Sequence, residues 1–170
     1  AADSILSGSG ADYLAGGIGA DTIIAGSGAD TVVLSGSDSV ALGDGDDVVI
    51  YASGFAAIDG SGTGNDAMVF ADQLSANSHI QLASGDFAKL SGIEIFDFRA
   101  QTGLVSITGT SSPETIYGGT LGDSVDGGAG NDVITASTGA DYILGGAGND
   151  TITNTSGADT INGGDGNDTI

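Results

Sequence analysis

Apolar residues recur at one interval over the last third of the chain: Ile134, Ile143, Ile152, Ile161 and Ile170 stand nine residues apart. Two residues before each lies an aspartate (Asp132, Asp141, Asp150, Asp159, Asp168), and two before that a glycine. In blocks of nine the stretch reads GGAGNDVIT, ASTGADYIL, GGAGNDTIT, NTSGADTIN, GGDGNDTI. A triplet such as Thr151-Ile152-Thr153 alternates polar and apolar, which predicts a short strand with its middle side chain inward and its neighbours outward. The glycine-rich six residues before it predict a turn. Two units, eighteen residues, then make one coil with a strand on each side. Successive coils stack their strands in parallel, about 4.8 Å apart. A fixed short period of this kind reads as a solenoid.

The N-terminal stretch repeats the pattern. SGSGADYLA from Ser7, GGIGADTII from Gly16 and AGSGADTVV from Ala25 place Asp12, Asp21 and Asp30 in register. Around Asp38 one residue is lost; LGDGDDVVI from Leu42 restores the register at Asp47. Tyr51 to Asp59 is degenerate, and SGTGNDAMV from Ser61 recovers the pattern at Asp66. Residues 70–108 lack the glycine turns. Ile80-Gln81-Leu82, Ile93-Glu94-Ile95 and Leu104-Val105-Ser106-Ile107 alternate instead, predicting strands that continue or cap the solenoid, with a loop or short helix at 71–78. Repeats resume with Glu114 in place of Asp, then Asp123. The expected organisation is therefore repeats at 1–69, a non-repeat β segment at 70–108 and repeats at 109–170. Both ends fall inside a repeat, so the chain is expected to be a fragment of a longer one.

The predicted core is a thin file: Leu14, Ile23, Val32, Val49, Ile116, Val125, Ile134, Ile143, Ile152 and Ile161. One buried apolar side chain contributes roughly 1.5–3 kcal/mol, while fixing the backbone costs ~1–2 kcal/mol per residue. Such a fold needs another source of stability. Composition suggests where to look. Lys and Arg number 2 and Asp and Glu 23, for a formal charge of -21. Binding nucleic acid requires cationic side chains, so that class is excluded, and an anionic membrane surface is disfavoured. The natural partner is a cation. With 39% apolar residues at regular places, the chain reads as folded but charge-frustrated rather than disordered. Cysteine is absent, which removes disulfides and thiolate metal sites. No apolar run is long enough to predict a membrane-spanning helix.

Aspartates nine apart fall on opposite edges of the coil, and those eighteen apart stack on one edge. Stacked carboxylates repel unless a cation lies between them. Glycine turns expose carbonyl oxygens beside them. An all-oxygen cage of six to eight ligands at about 2.3–2.6 Å favours calcium, and magnesium rarely fills such a cage. A chain with no Cys and one His is poorly suited to zinc or copper.

With these residues in place, the chain resembles the RTX family, whose calcium-binding nonapeptide is GGxGxDxUx. GGAGNDVIT, GGAGNDTIT and GGIGADTII match it at nearly every position. The resemblance implies an all-β, right-handed parallel β-roll of about 18 residues per coil, with calcium between consecutive turns. It implies Asp12, Asp21, Asp30, Asp47, Asp66, Asp123, Asp132, Asp141, Asp150, Asp159 and Asp168 as ligands. Carbonyl oxygens would come from the turns at Gly127, Gly130, Gly145, Gly148, Gly163 and Gly166. Glu114, Asp38 and the turns at Ala136 and Asn154 depart from the motif. The expected result is a well-formed edge along Asp132, Asp150 and Asp168 and a weaker one along Asp123, Asp141 and Asp159. Export through a type I channel, with folding in calcium-rich medium, is also implied.

Other chemistry is sparse. His79 stands alone and reads as a loop residue. Asp59, Asp72, Asp86, Glu94 and Asp97 read as turn or surface carboxylates rather than a catalytic pair. The chain is therefore expected not to be an enzyme. Outward apolar positions at Tyr13, Ile24, Val33, Tyr142 and Leu144 suggest an assembly contact. The expectation is a secreted structural module whose folding and self-assembly need calcium, most readily part of a bacterial surface layer. The alternatives are a spacer in an adhesin or the calcium-binding tail of a type I-secreted protease, lipase or epimerase.

Overall fold

The computed structural model describes residues 1–53, 57–60, 62–70, 79–82 and 90–170. The described residues are all-β, with eighteen strands and no helix. The loop or short helix expected at 71–78 lies outside them, as do Asp72, Asp86 and Lys89.

The chain divides into two compact units, one of Ala1–Ala71 with Ala88–Ile95, the other of Asp72–Phe87 with Phe96–Ile170. In the first, strands β1 (Ser4–Ser9), β3 (Thr22–Ser27), β5 (Ser39–Asp44), β7 (Ala57–Asp59) and β10 (Leu90–Ser91) form one wall in that order. The opposite wall is β2 (Tyr13–Ala15), β4 (Thr31–Ser35), β6 (Val48–Ser53) and β8 (Ala67–Phe70). The second unit repeats the scheme. One wall is β9 (His79–Leu82), β12 (Leu104–Thr108), β14 (Ser124–Asp126), β16 (Tyr142–Ala147) and β18 (Thr160–Asp165). The other runs through β11 (Ile95–Asp97), β13 (Thr115–Tyr117), β15 (Val133–Thr135) and β17 (Thr151–Thr153). Within each unit the strands alternate between walls along the chain and the described pairings are parallel, so each unit is a β-solenoid.

The register is one coil per step. Ile134 pairs with Ile152, and Val125 with Ile143, which pairs in turn with Ile161. Where a residue is lost near Asp38, the solenoid absorbs it: Ile23 still pairs with Val40, and Val40 with Ile58. Tyr51 to Asp59, degenerate in sequence, supplies β7 for that wall. A bulge between Leu34 and Ser35 takes up the irregularity on the facing wall.

Of the expected core file, Ile23, Val32, Val49, Ile116, Val125, Ile134, Ile143 and Ile152 are buried, whereas Leu14 and Ile161 are half-buried. The core is thicker than one residue per nine. Several strands run on to five or six residues, and the period of two then brings a second side chain inward. Ala25, Leu34 and Leu42 are fully buried this way in β3, β4 and β5. In β16 the second inward place is Gly145, so the C-terminal coils keep the thin core that the repeat predicts. Phe96, Phe98, Val105 and Ile107 add further buried apolar side chains in the second unit. Arg99 donates to Asp97 at 2.6 Å and lies 4.5 Å from the Tyr117 ring centre, so Asp97 is held by an ion pair that keeps its carboxyl below the usual range.

Candidate metal centre

Each repeat aspartate sits at the end of its glycine turn, one residue before a strand. There its side chain turns inward under the turn. Asp21, Asp30, Asp38, Asp47, Asp66, Asp123, Asp132, Asp141 and Asp150 are all buried, none more than 2% exposed. Asp12, Asp159 and Asp168 are half-buried.

One oxygen of each carboxylate serves the stack. In the first unit the Asp12 N–H donates to Asp30 Oδ1 at 2.8 Å, Asp30 to Asp47 at 2.8 Å, and Asp47 to Asp66 at 3.0 Å. The other edge runs from Asp3 to Asp21 at 2.7 Å and from Asp21 to Asp38 at 3.0 Å. In the second unit Glu114, Asp132 and Asp150 donate to Asp132, Asp150 and Asp168 at 2.8, 2.9 and 3.0 Å. On its opposite edge Val105, Asp123 and Asp141 donate to Asp123, Asp141 and Asp159 at 3.0, 2.8 and 2.9 Å. Aspartates one coil apart do share an edge.

The ladder is longer than the motif. Asp38, which the sequence leaves out of register, is completely buried and occupies a rung. Glu94, read above as a turn or surface residue, also joins: its Oε2 accepts the Asp66 N–H at 3.0 Å. No motif could have found it, because its rung lies twenty-eight residues from Asp66 rather than eighteen. The one available signal is the alternation of Ile93-Glu94-Ile95.

The second oxygen differs from site to site. Oδ2 of Asp21, Asp30, Asp47, Asp132, Asp141 and Asp150 is buried and meets no hydrogen-bond donor. A buried, unsatisfied carboxylate oxygen is costly, on the order of several kcal/mol if charged. At four other aspartates Oδ2 has a partner. It accepts from the Ser7 hydroxyl at Asp12, the Ser35 N–H at Asp38, the Gly119 N–H at Asp123 and the Asn154 amide at Asp159. The Glu114 carboxylate is held by the N–H and hydroxyl of Thr110. The edge through Asp132 and Asp150 thus carries two bare oxygens and the edge through Asp123, Asp141 and Asp159 one.

Burial also leaves its mark on protonation. It pushes the Asp66 carboxyl up to about 7, opposed by the Asp47 N–H and reinforced by the charges of Asp47 and Glu94. Burial raises Asp123 and Asp132 to about 6 and lifts Asp47 as well.

Glycine makes room for this chemistry. A Cβ on Gly127 would lie 2.6 Å from Asp132 Oδ2 and 2.5 Å from the Gly145 carbonyl oxygen, so that carboxylate and that carbonyl converge over one bare Cα. Gly145 repeats the arrangement with Asp150 Oδ2 and the Gly163 carbonyl, and Gly163 itself lies against Asp168 Oδ2. Gly130, Gly148 and Gly166 have another duty. Gly148 holds φ at +143°, and the Gly130 carbonyl packs against its Cα, as the Gly148 carbonyl does against Gly166. No three His, Cys, Asp or Glu side chains gather among the described residues. A cation here would be held by one or two carboxylates completed by turn carbonyls. That donor set is oxygen throughout, and it fits calcium.

Comparison with known proteins agrees with this chemistry. The RTX calcium-binding nonapeptide repeat matches in four copies, at residues 1–32, 32–55, 117–152 and 153–170, well over half of the chain. No curated protein and no solved structure matches it.

Proposed function

The chain belongs to the RTX calcium-binding nonapeptide-repeat family and binds several calcium ions, and from this we propose that it is a non-catalytic, secreted structural module of a bacterial surface layer. The observation that carries the reading is the set of six buried Asp Oδ2 atoms that meet no donor, placed at coil spacing along the edges. Bound calcium supplies positive charge and a coordination shell for these oxygens. The side chains of Asp21, Asp30, Asp47, Asp132, Asp141 and Asp150 present one free oxygen each, and Gly145 and Gly163 orient carbonyls beside the Asp132 and Asp150 carboxylates. The stacking N–H groups hold each carboxylate in place from its other oxygen. Folding and ion binding are then one equilibrium, and the modest apolar core suffices once the edges are neutralised. Release into calcium-rich medium through a type I channel suits a chain of this charge.

Assembly has its own support. In the first unit Ala15, Val33, Ile50 and Val69 stand side by side on the outward face of their wall, and Tyr13, Thr31, Val48 and Ala67 form the next file. Neither file holds a charged residue, in a chain with 23 acids. Tyr13 is 72% exposed. Flat apolar sheet faces of this kind pack against copies of themselves. Electron microscopy of the chain at millimolar calcium tests the reading. Ordered sheets or filaments that vanish in EGTA are the expected result, and strictly monomeric particles at millimolar calcium would overturn it.

A further inference from the structure

Where no backbone N–H reaches Oδ2, as the Ser35 and Gly119 N–H groups do at Asp38 and Asp123, the bare and the side-chain-satisfied oxygens sort by the residue five positions before the aspartate. Where that residue is Gly16, Ala25, Leu42, Gly127, Ala136 or Gly145, the oxygens of Asp21, Asp30, Asp47, Asp132, Asp141 and Asp150 are buried without a donor. Where it is Ser7 or Asn154, the side chain reaches forward and donates to Asp12 or Asp159. We propose that, in repeats whose Oδ2 meets no backbone donor, the first residue of the nonapeptide decides whether its aspartate serves calcium: a small or apolar residue leaves the carboxylate open to the ion, and Ser7 and Asn154 seal it. This rests on the reading of the bare oxygens as calcium ligands.

The physical argument is competition for one lone-pair direction. At Asp159, Oδ1 already accepts the Asp141 N–H at 2.9 Å, and the Asn154 amide occupies Oδ2. An ion approaching that oxygen meets a donor hydrogen, and displacing the amide strands a second polar group in a half-buried turn. At Asp141, one coil earlier on the same edge, Ala136 brings a methyl group and no donor. Oδ1 is engaged in the same way by the Asp123 N–H at 2.8 Å, and Oδ2 is bare. The two coils thus differ in this respect by one side chain. A hydrogen bond neutralises no charge, but it satisfies the oxygen without an ion, so the sealed coils close on their own. Backbone N–H groups of Ser35 and Gly119 act alike at Asp38 and Asp123. Ions are therefore distributed unevenly along the repeats, and the number bound is smaller than the number of aspartates in register.

Two substitutions test this in opposite senses. Asn154→Ala removes the donor while keeping the Cβ found at Ala25 and Ala136. Ala136→Ser adds a hydroxyl where Ser7 has one. Calorimetric titration of the whole chain with calcium chloride is the readout, with circular dichroism at saturating calcium confirming the fold. Asn154→Ala is expected to gain one bound ion per chain and Ala136→Ser to lose one; Ser7→Ala, in the other unit, should gain one as well. Unchanged stoichiometry in all three, with a parent that binds calcium, overturns the sealing rule alone. So does an Asn154→Ala chain that cannot fold at saturating calcium, because the ion should replace the lost donor. A parent that binds no calcium overturns the underlying reading, and the rule with it.

Discussion

At Asp150 the two carboxylate oxygens have separate duties: Oδ1 accepts the Asp132 N–H at 2.9 Å, and Oδ2 is buried with no donor. Two substitutions separate them. Asp150→Asn can keep the accepting oxygen while removing the charge and the donor-free oxygen. It is expected to weaken calcium binding by about tenfold or more, and to raise the sheet signal measured in EGTA. Asp150→Ala also strips the Asp132 N–H of its acceptor, which costs a further ~1–3 kcal/mol, so its thermal midpoint with calcium should lie below that of Asp150→Asn. Protonation offers a second check. Folded-state values of about 7 at Asp66 and about 6 at Asp123 and Asp132 lie above the ~3.9 of an unfolded aspartate. The folded chain then holds more protons than the unfolded one between these limits. Stability is present in full below the unfolded value and is lost as pH rises through about 6 to 7. Ellipticity in EGTA should therefore grow as pH falls from 8 towards 5; a signal that shrinks on acidification would contradict the burial of these groups.

Strands differ in how much they depend on the edges. β4 and β5 bury two apolar side chains each, Val32 with Leu34 and Val40 with Leu42, whereas β17 buries Ile152 alone and β16 pairs Ile143 with a glycine. Each additional buried Leu adds roughly 1.5–3 kcal/mol that needs no ion. Hydrogen exchange at limiting calcium should show β15 to β17 losing protection before β4 and β5; equal loss throughout would mean that the core difference is inconsequential. The same contrast explains what could be read in advance. The strand triplets, their inward residues and the shared edge of Asp132, Asp150 and Asp168 were legible because nine-residue register is visible in one sequence. The rungs at Asp38 and Glu94 were not, since their spacings of seventeen and twenty-eight break that register and only stacking restores it. The thicker N-terminal core was hidden because Leu34 and Leu42 occupy places that the motif assigns to the turn. Nor does the motif distinguish an open carboxylate from one sealed by Ser7 or Asn154, because that depends on which way a single side chain reaches.

Across the molecule one imbalance dominates. A chain of 170 residues carries a net charge of -21, and nine aspartates of its ladders are buried. Compaction brings like charges together, and the apolar file is too thin in the C-terminal coils to offset the repulsion alone. Bound calcium supplies the missing term and ties folding to the calcium concentration. Far-UV circular dichroism of the chain in EGTA, then with millimolar calcium or millimolar magnesium, tests this most directly. The account predicts that the full β-sheet spectrum appears with calcium and not with magnesium or EGTA, and a spectrum in EGTA equal to that in calcium would contradict it.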